Sequence, residues 1–146
     1  MKITYKGDYA LKAVLDLAKN YNQGLLTIND IATHIDAPIK FLEQVLLELK
    51  RGGFVESRRG NVGGYLLARS PAEITVGDVV RFVDGPTEPI ACVKEGYSQC
   101  GDVYKCVFRK IWQDVSQATS DIIDNINFEQ LALQLDAEQK VIAYAI

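Results

Sequence analysis

The sequence predicts a mostly α-helical fold carrying one small β-hairpin. Apolar residues recur at helical spacing along most of the chain. One stretch of β-prone residues flanks a glycine-rich turn, and two helical stretches are separated only by Asp36-Ala37-Pro38. With 146 residues, 48% hydrophobic and 24% charged, the chain has enough apolar material to bury a core of its own.

Tyr9, Ala10, Ala13, Val14, Leu17 and Ala18 share one face, so a first helix is expected over 8–20. Thr27 followed by Asp30 reads as a capped N-terminus. The short helix it opens, Ile28 to about Ile35, turns Ile28, Ile31, Ala32 and Ile35 inward. Pro38 interrupts the pattern and suits the first turn of a new helix. From Ile39 the period resumes through Leu42, Val45, Leu46 and Leu49, and Gly52-Gly53 supplies a stop. Short helix, tight turn and second amphipathic helix together form a helix-turn-helix.

Phe54-Val55-Glu56-Ser57 and Tyr65-Leu66-Leu67-Ala68 flank Arg58-Arg59-Gly60-Asn61-Val62-Gly63-Gly64, which predicts a hairpin. A hairpin directly after a reading helix is a wing. A further short helix is expected from Val76 to Val83, closed by Asp84-Gly85-Pro86. Residues 85–102 read as loop. The stripe Val103, Val107, Ile111, Val115, Ala118, Ile122 and Ile126 then predicts a helix over 103–125. At about 1.5 Å per residue such a helix would exceed ~30 Å, long enough to call for a partner copy. Asn127 is placed to cap a last helix through Leu131, Leu133 and Leu135. The closing Val141–Ile146 is apolar without a clear period.

The fold class is therefore a winged helix-turn-helix plus a long dimerisation helix. Four parts are expected: a DNA-binding domain over 1–84, a cysteine-bearing sensor loop over 85–106, a dimerisation helix over 103–126 and a C-terminal segment over 127–146.

Charge supports a polyanionic partner for the front half only. Residues 1–69 hold ten Lys/Arg against seven Asp/Glu, or +3, and residues 70–146 hold six against twelve, or −6. Ile39, Lys40, Glu43 and Gln44, near the start of the second motif helix, would meet base edges in a major groove. Lys40 can reach guanine acceptors, Glu43 can accept from cytosine, and Gln44 can pair with adenine. Arg58 and Arg59 in the wing suit a phosphate or the minor groove. The same polar residues would also suit an ordinary solvated face, and winged helices also serve as protein-binding modules.

Cys92, Cys100 and Cys106 fall within fifteen consecutive residues. Thiolates are soft ligands for iron–sulfur clusters and zinc, but the closely paired cysteines of a zinc knuckle are absent. Three incidental or redox-active thiols are the alternative. No apolar run approaches the ~20 residues of a membrane span. Met1–Tyr5 lacks a signal peptide's apolar stretch, so a cytoplasmic protein without disulfides is expected.

Several of these residues together resemble the IscR/NsrR-type winged-helix regulators, the Rrf family, from Met1 to about Leu135. They are Lys6-Gly7-Asp8-Tyr9-Ala10-Leu11, Ile31-Ala32, Phe41-Leu42-Glu43-Gln44, Arg59-Gly60, Gly63-Gly64-Tyr65-Leu66-Leu67 and the three cysteines. The resemblance implies a homodimer with crossing long helices on a pseudo-palindromic double-stranded DNA operator. It also implies a 2Fe-2S or 4Fe-4S iron–sulfur cluster on Cys92, Cys100 and Cys106, reporting iron, oxidative or nitrosative status. Where IscR-like members place a histidine three residues after the last cysteine, this chain has Arg109, which cannot ligate. NsrR-like members use an aspartate of the partner's first helix, and Asp8 stands at the matching position. Asp8 would equally favour a helix N-terminus. Rival expectations are a cluster-free regulator working through thiol oxidation or a partner protein, and an iron–sulfur carrier or redox protein. No nucleophile–base pair, phosphate loop or substrate fingerprint points to an enzyme.

Overall fold

The computed structural model describes residues 1–145. Six α-helices and one two-stranded antiparallel hairpin run in the order α1 (Tyr5–Lys19), α2 (Ile28–Ile35), α3 (Ile39–Arg51), β1 (Val55–Arg58), β2 (Gly64–Leu67), α4 (Val76–Asp84), α5 (Val107–Ile123) and α6 (Phe128–Ala145). Short 3-10 turns lie at Pro71–Glu73 and Ala91–Val93. This is a winged helix-turn-helix followed by two longer helices.

The first helix begins three residues before the expected start, because the Thr4 hydroxyl accepts the Gly7 N–H at 3.0 Å and caps it. α2 opens on the expected cap: Thr27 accepts from the Asp30 N–H at 3.1 Å, and the Asp30 carboxylate accepts from the Thr27 N–H at 3.0 Å. The Thr27 N–H and hydroxyl hold the Asp30 carboxyl below the usual range. That contribution is therefore present above the unfolded carboxyl's pKa and fades as pH falls through the lowered one. Thr75 and Asp78 repeat the same box at the start of α4.

α1 runs through the centre of the molecule. Ala10, Ala13 and Val14 are fully buried, and the two alanines let neighbouring helices approach closely. α2, α3, α4, α6 and β2 all touch α1. α3 buries Leu42, Val45, Leu46 and Leu49, the face its spacing predicts. The hairpin pairs Val55 with Leu67 and Arg58 with Gly64. It is also tied to the loop before α2: Leu26 and Tyr65 exchange both backbone bonds, at 3.1 and 2.7 Å. Phe128, 1% exposed, plugs the core from the start of α6.

The long helix is shorter than expected. The period points to a start at Val103, whereas α5 begins at Val107, leaving 17 residues and about 25 Å at ~1.5 Å per residue. Val103 is 8% exposed but lies in the turn that precedes α5. Its burial comes from docking as a turn residue rather than from another helical turn. The C-terminal segment is helical through Ala145, and Ile146 lies outside the described residues.

Candidate functional site

The exposed side of α3 is built by subtraction. With its apolar face sunk against α1 and α2, Lys40, Glu43 and Gln44 remain in solvent. Arg58 closes β1 and Arg59 opens the turn, both exposed, with Arg58 loosely paired to Glu56 at 3.8 Å. A Lys50 Nζ to Ser57 Oγ bond of 2.7 Å links α3 to β1, so α3 and the wing share a connection beyond the chain itself. Tyr9 and Phe41 stack edge-on at 5.5 Å, and Lys6 pairs with Glu48 at 3.2 Å, fixing α3 against α1.

α4 reaches three of its neighbours through Phe82, Asp84 and Arg81. Phe82 lies against Gly52 at the end of α3, where a Cβ would meet its ring at 2.6 Å, and stacks on Phe54 at 5.4 Å. Asp84 accepts the Thr4 N–H at 3.0 Å and the Thr4 hydroxyl, placing a carboxylate at the N-terminus of α1. Gly7 leaves room beneath it, since a Cβ there would lie 2.8 Å from the Asp84 Cγ and push that side chain aside. Arg81 donates to both Asp124 oxygens, at 2.6 and 3.0 Å, and to Ser120 at 3.3 Å, tying α4 to α5. The Asp124 carboxylate raises the Arg81 pKa above its usual value, so the guanidinium stays charged at any working pH. Gly7→Ala is accordingly expected to cost about 1–3 kcal/mol of stability by displacing Asp84. A chemical denaturation curve checks this; an unchanged midpoint would mean the carboxylate moves aside freely.

The three cysteines follow α4 directly. Cys92 sits half-buried in the Ala91–Val93 turn, while Cys100 and the α5 cap Cys106 are exposed, and all three thiols are free. Among the described residues no three His, Cys, Asp or Glu side chains converge on a common centre. The donor chemistry of three thiols on one loop suits an iron–sulfur cluster. Arg109, at the position that carries histidine in IscR-like members, donates from Nε to the Cys92 carbonyl at 3.1 Å and so braces the loop against α5. Asp8, on the first turn of α1, is half-exposed and pairs with Lys12 at 2.6 Å. It borders a shallow cavity with Lys2, Ile3, Thr4 and Tyr5.

Past the cysteines, α5 has no buried residue at all. Val107 is 74%, Ile111 51% and Ile122 61% exposed, and Phe108, Trp112 and Val115 are exposed beside them. Sequence reasoning also missed the Asp16–His34 pair. Asp16 is buried on α1, and both of its oxygens lie within 3.0 Å of His34 Nδ1 on α2.

The family model described as Rrf2, iron-dependent transcriptional regulator, matches residues 3–134. The chain belongs to the Rrf2 family. An rrf2-like HTH-type transcriptional regulator of Rhodobacter capsulatus is 38% identical over 136 residues, covering 88% of this chain and 91% of that relative. Among solved structures, CymR, the global cysteine regulator of B. subtilis, superimposes with a TM-score of 0.77 at 32% identity, over 92% of this chain and 98% of that one. IscR of T. potens does so with a TM-score of 0.71 at 30% identity, over 96% and 90%. This Rrf2 chain is thus a DNA-binding transcription regulator by family, and no helix among its described residues is long and apolar enough to cross a membrane.

Proposed function

We propose that the protein acts as a homodimer on a double-stranded DNA operator and senses iron, redox or nitrosative status through an iron–sulfur cluster. Lys40, Glu43 and Gln44 read base edges, and Arg58 and Arg59 hold the wing on the DNA backbone. Cys92, Cys100 and Cys106 would hold the cluster, with Asp8 of the partner subunit as fourth ligand. When bound, the cluster supplies redox- and nitric-oxide-sensitive iron.

The observation that carries this reading is the position of the cysteine loop. It joins α4, which grips the reading helix at Gly52 and α1 at Thr4, to α5, whose apolar face is uncovered. A contiguous apolar helix face of that size in a soluble regulator favours association with a second copy. Ordering the loop would then act on α4 and α5 at once. The difference in DNA affinity between loaded and unloaded protein is expected to be about 5–150-fold, the usual range of coupling between two sites.

Anaerobic purification with iron and sulfide assays, a visible spectrum and operator titrations of both forms tests this. Equal amounts of iron and sulfide with unequal operator affinities support the proposal. Equal affinities refute the coupling, and Asp8→Ala tests the fourth ligand separately. A second reading, regulation by thiol oxidation without a cluster, rests on the solvent exposure of the Cys100 and Cys106 thiols. Colourless protein that takes up no cluster, yet binds DNA differently after oxidation, would establish it.

A further inference from the structure

The exposed face of α3 is not uniformly polar. Leu47 is 50% exposed, although Leu42, Val45, Leu46 and Leu49 on the opposite side of the same helix are at most 1% exposed. At about 100° per residue, Leu47 lies within ~60° of Lys40, Glu43, Gln44 and Arg51, near the centre of the exposed arc. All four of those neighbours are exposed. Helix propensity does not call for leucine there, since Lys, Gln or Glu would serve almost as well. Nor does packing within the chain, which leaves half of the side chain in water.

We propose that Leu47 is a specificity-determining residue that packs on the 5-methyl group of a thymine in the major groove. This rests on the reading of α3 as the base-contacting helix. Of the groups that base pairs present in that groove, the thymine methyl is the apolar one. A leucine pressed onto any other base edge would strip water from donors and acceptors without replacing their hydrogen bonds. Leu47 therefore favours thymine and disfavours the bases that present only polar atoms at its position. Lys40, Glu43 and Gln44 read the donors and acceptors around it. Ile39, 44% exposed at the first turn of α3, lies about 80° from Leu47, at the margin of the arc, where this contact is not expected.

The test uses a duplex enriched by the wild-type protein from a random-sequence DNA library. Each thymine of the enriched site is replaced singly by deoxyuracil, which removes only the methyl group. At one position per half-site, wild-type affinity should fall about fourfold, the value of one buried methyl group. Leu47→Ala should bind the thymine duplex more weakly, by at least that factor, and should no longer distinguish thymine from deoxyuracil there. Gln44→Ala should keep the distinction. A Leu47→Ala protein that discriminates as the wild type does at every position would overturn the proposal while leaving DNA reading by α3 intact. Failure to enrich any sequence would overturn both. Because Leu47 is outside the core, circular dichroism and the thermal midpoint of Leu47→Ala should match the wild type.

Discussion

Phe128→Ala is expected to lower the unfolding free energy by about 3–5 kcal/mol, more than any surface substitution in the chain. Phe128 is among the largest fully buried side chains, and it enters the core from the first residue of α6. Its backbone N–H donates to the Ile74 carbonyl at 3.0 Å, while the Val76 N–H donates to Ile126 at 2.9 Å. Removing the ring thus opens a cavity where α6 is stitched to the segment leading into α4. In a chain of this length the thermal midpoint should drop on the order of 10 °C. Denaturant titration at fixed protein concentration is the measurement, since any self-association would make the apparent stability depend on concentration. A loss below about 1 kcal/mol would show that neighbouring side chains collapse into the space.

Replacing Arg58 and Arg59 together by alanine is expected to weaken operator binding about 100-fold, if each makes one charge-assisted bond to DNA. Both side chains are exposed on the wing, and among the described residues only Arg58 has an ionic partner, the long contact to Glu56. If both bonds go to phosphates, the loss should be similar for all DNA sequences. The slope of log affinity against log salt should then become shallower by about 2, close to 0.9 per phosphate contact. Titrations at several salt concentrations, on the operator and on unrelated DNA, decide this. Gln44→Ala should behave differently, with a loss concentrated at one base pair and worth about 1–3 kcal/mol there. A salt slope unchanged in the double arginine variant would place the wing away from the phosphates.

Much of the fold was legible because its signals are local. Thr27 and Asp30 close a reciprocal cap within one turn, and Leu42, Val45, Leu46 and Leu49 recur at the helical period. Gly52 and Gly85 stand where helices stop. The exposed polar residues of α3 followed from the same period, as the complement of the buried face. The start of α5 was not legible. Val103 continues the apolar spacing of the helix while sitting in a turn, and spacing alone cannot tell a turn residue docked in the core from one more helical turn.

The cysteine cluster was visible as three thiols on one loop, but their separation in the folded chain was not. Spacing along a loop sets how far thiols can reach, not where they rest. The roles of Gly7, Gly52, Asp16 and Arg81 were likewise hidden. Each depends on a residue from 18 to 77 positions away: Gly7 on Asp84, Gly52 on Phe82, Asp16 on His34 and Arg81 on Asp124.

By itself, then, the sequence determined the helix-turn-helix, the wing, the polar face of α3 and the loop with its three cysteines. All of these arise from hydrogen bonds and side-chain directions within a few residues of one another. Only the tertiary structure decided that α4 holds α1, α3 and α5 together, and that α5 leaves its apolar face uncovered. Those depend on how close separate helices come, which is set by side-chain volumes and charges that meet only after the chain has folded.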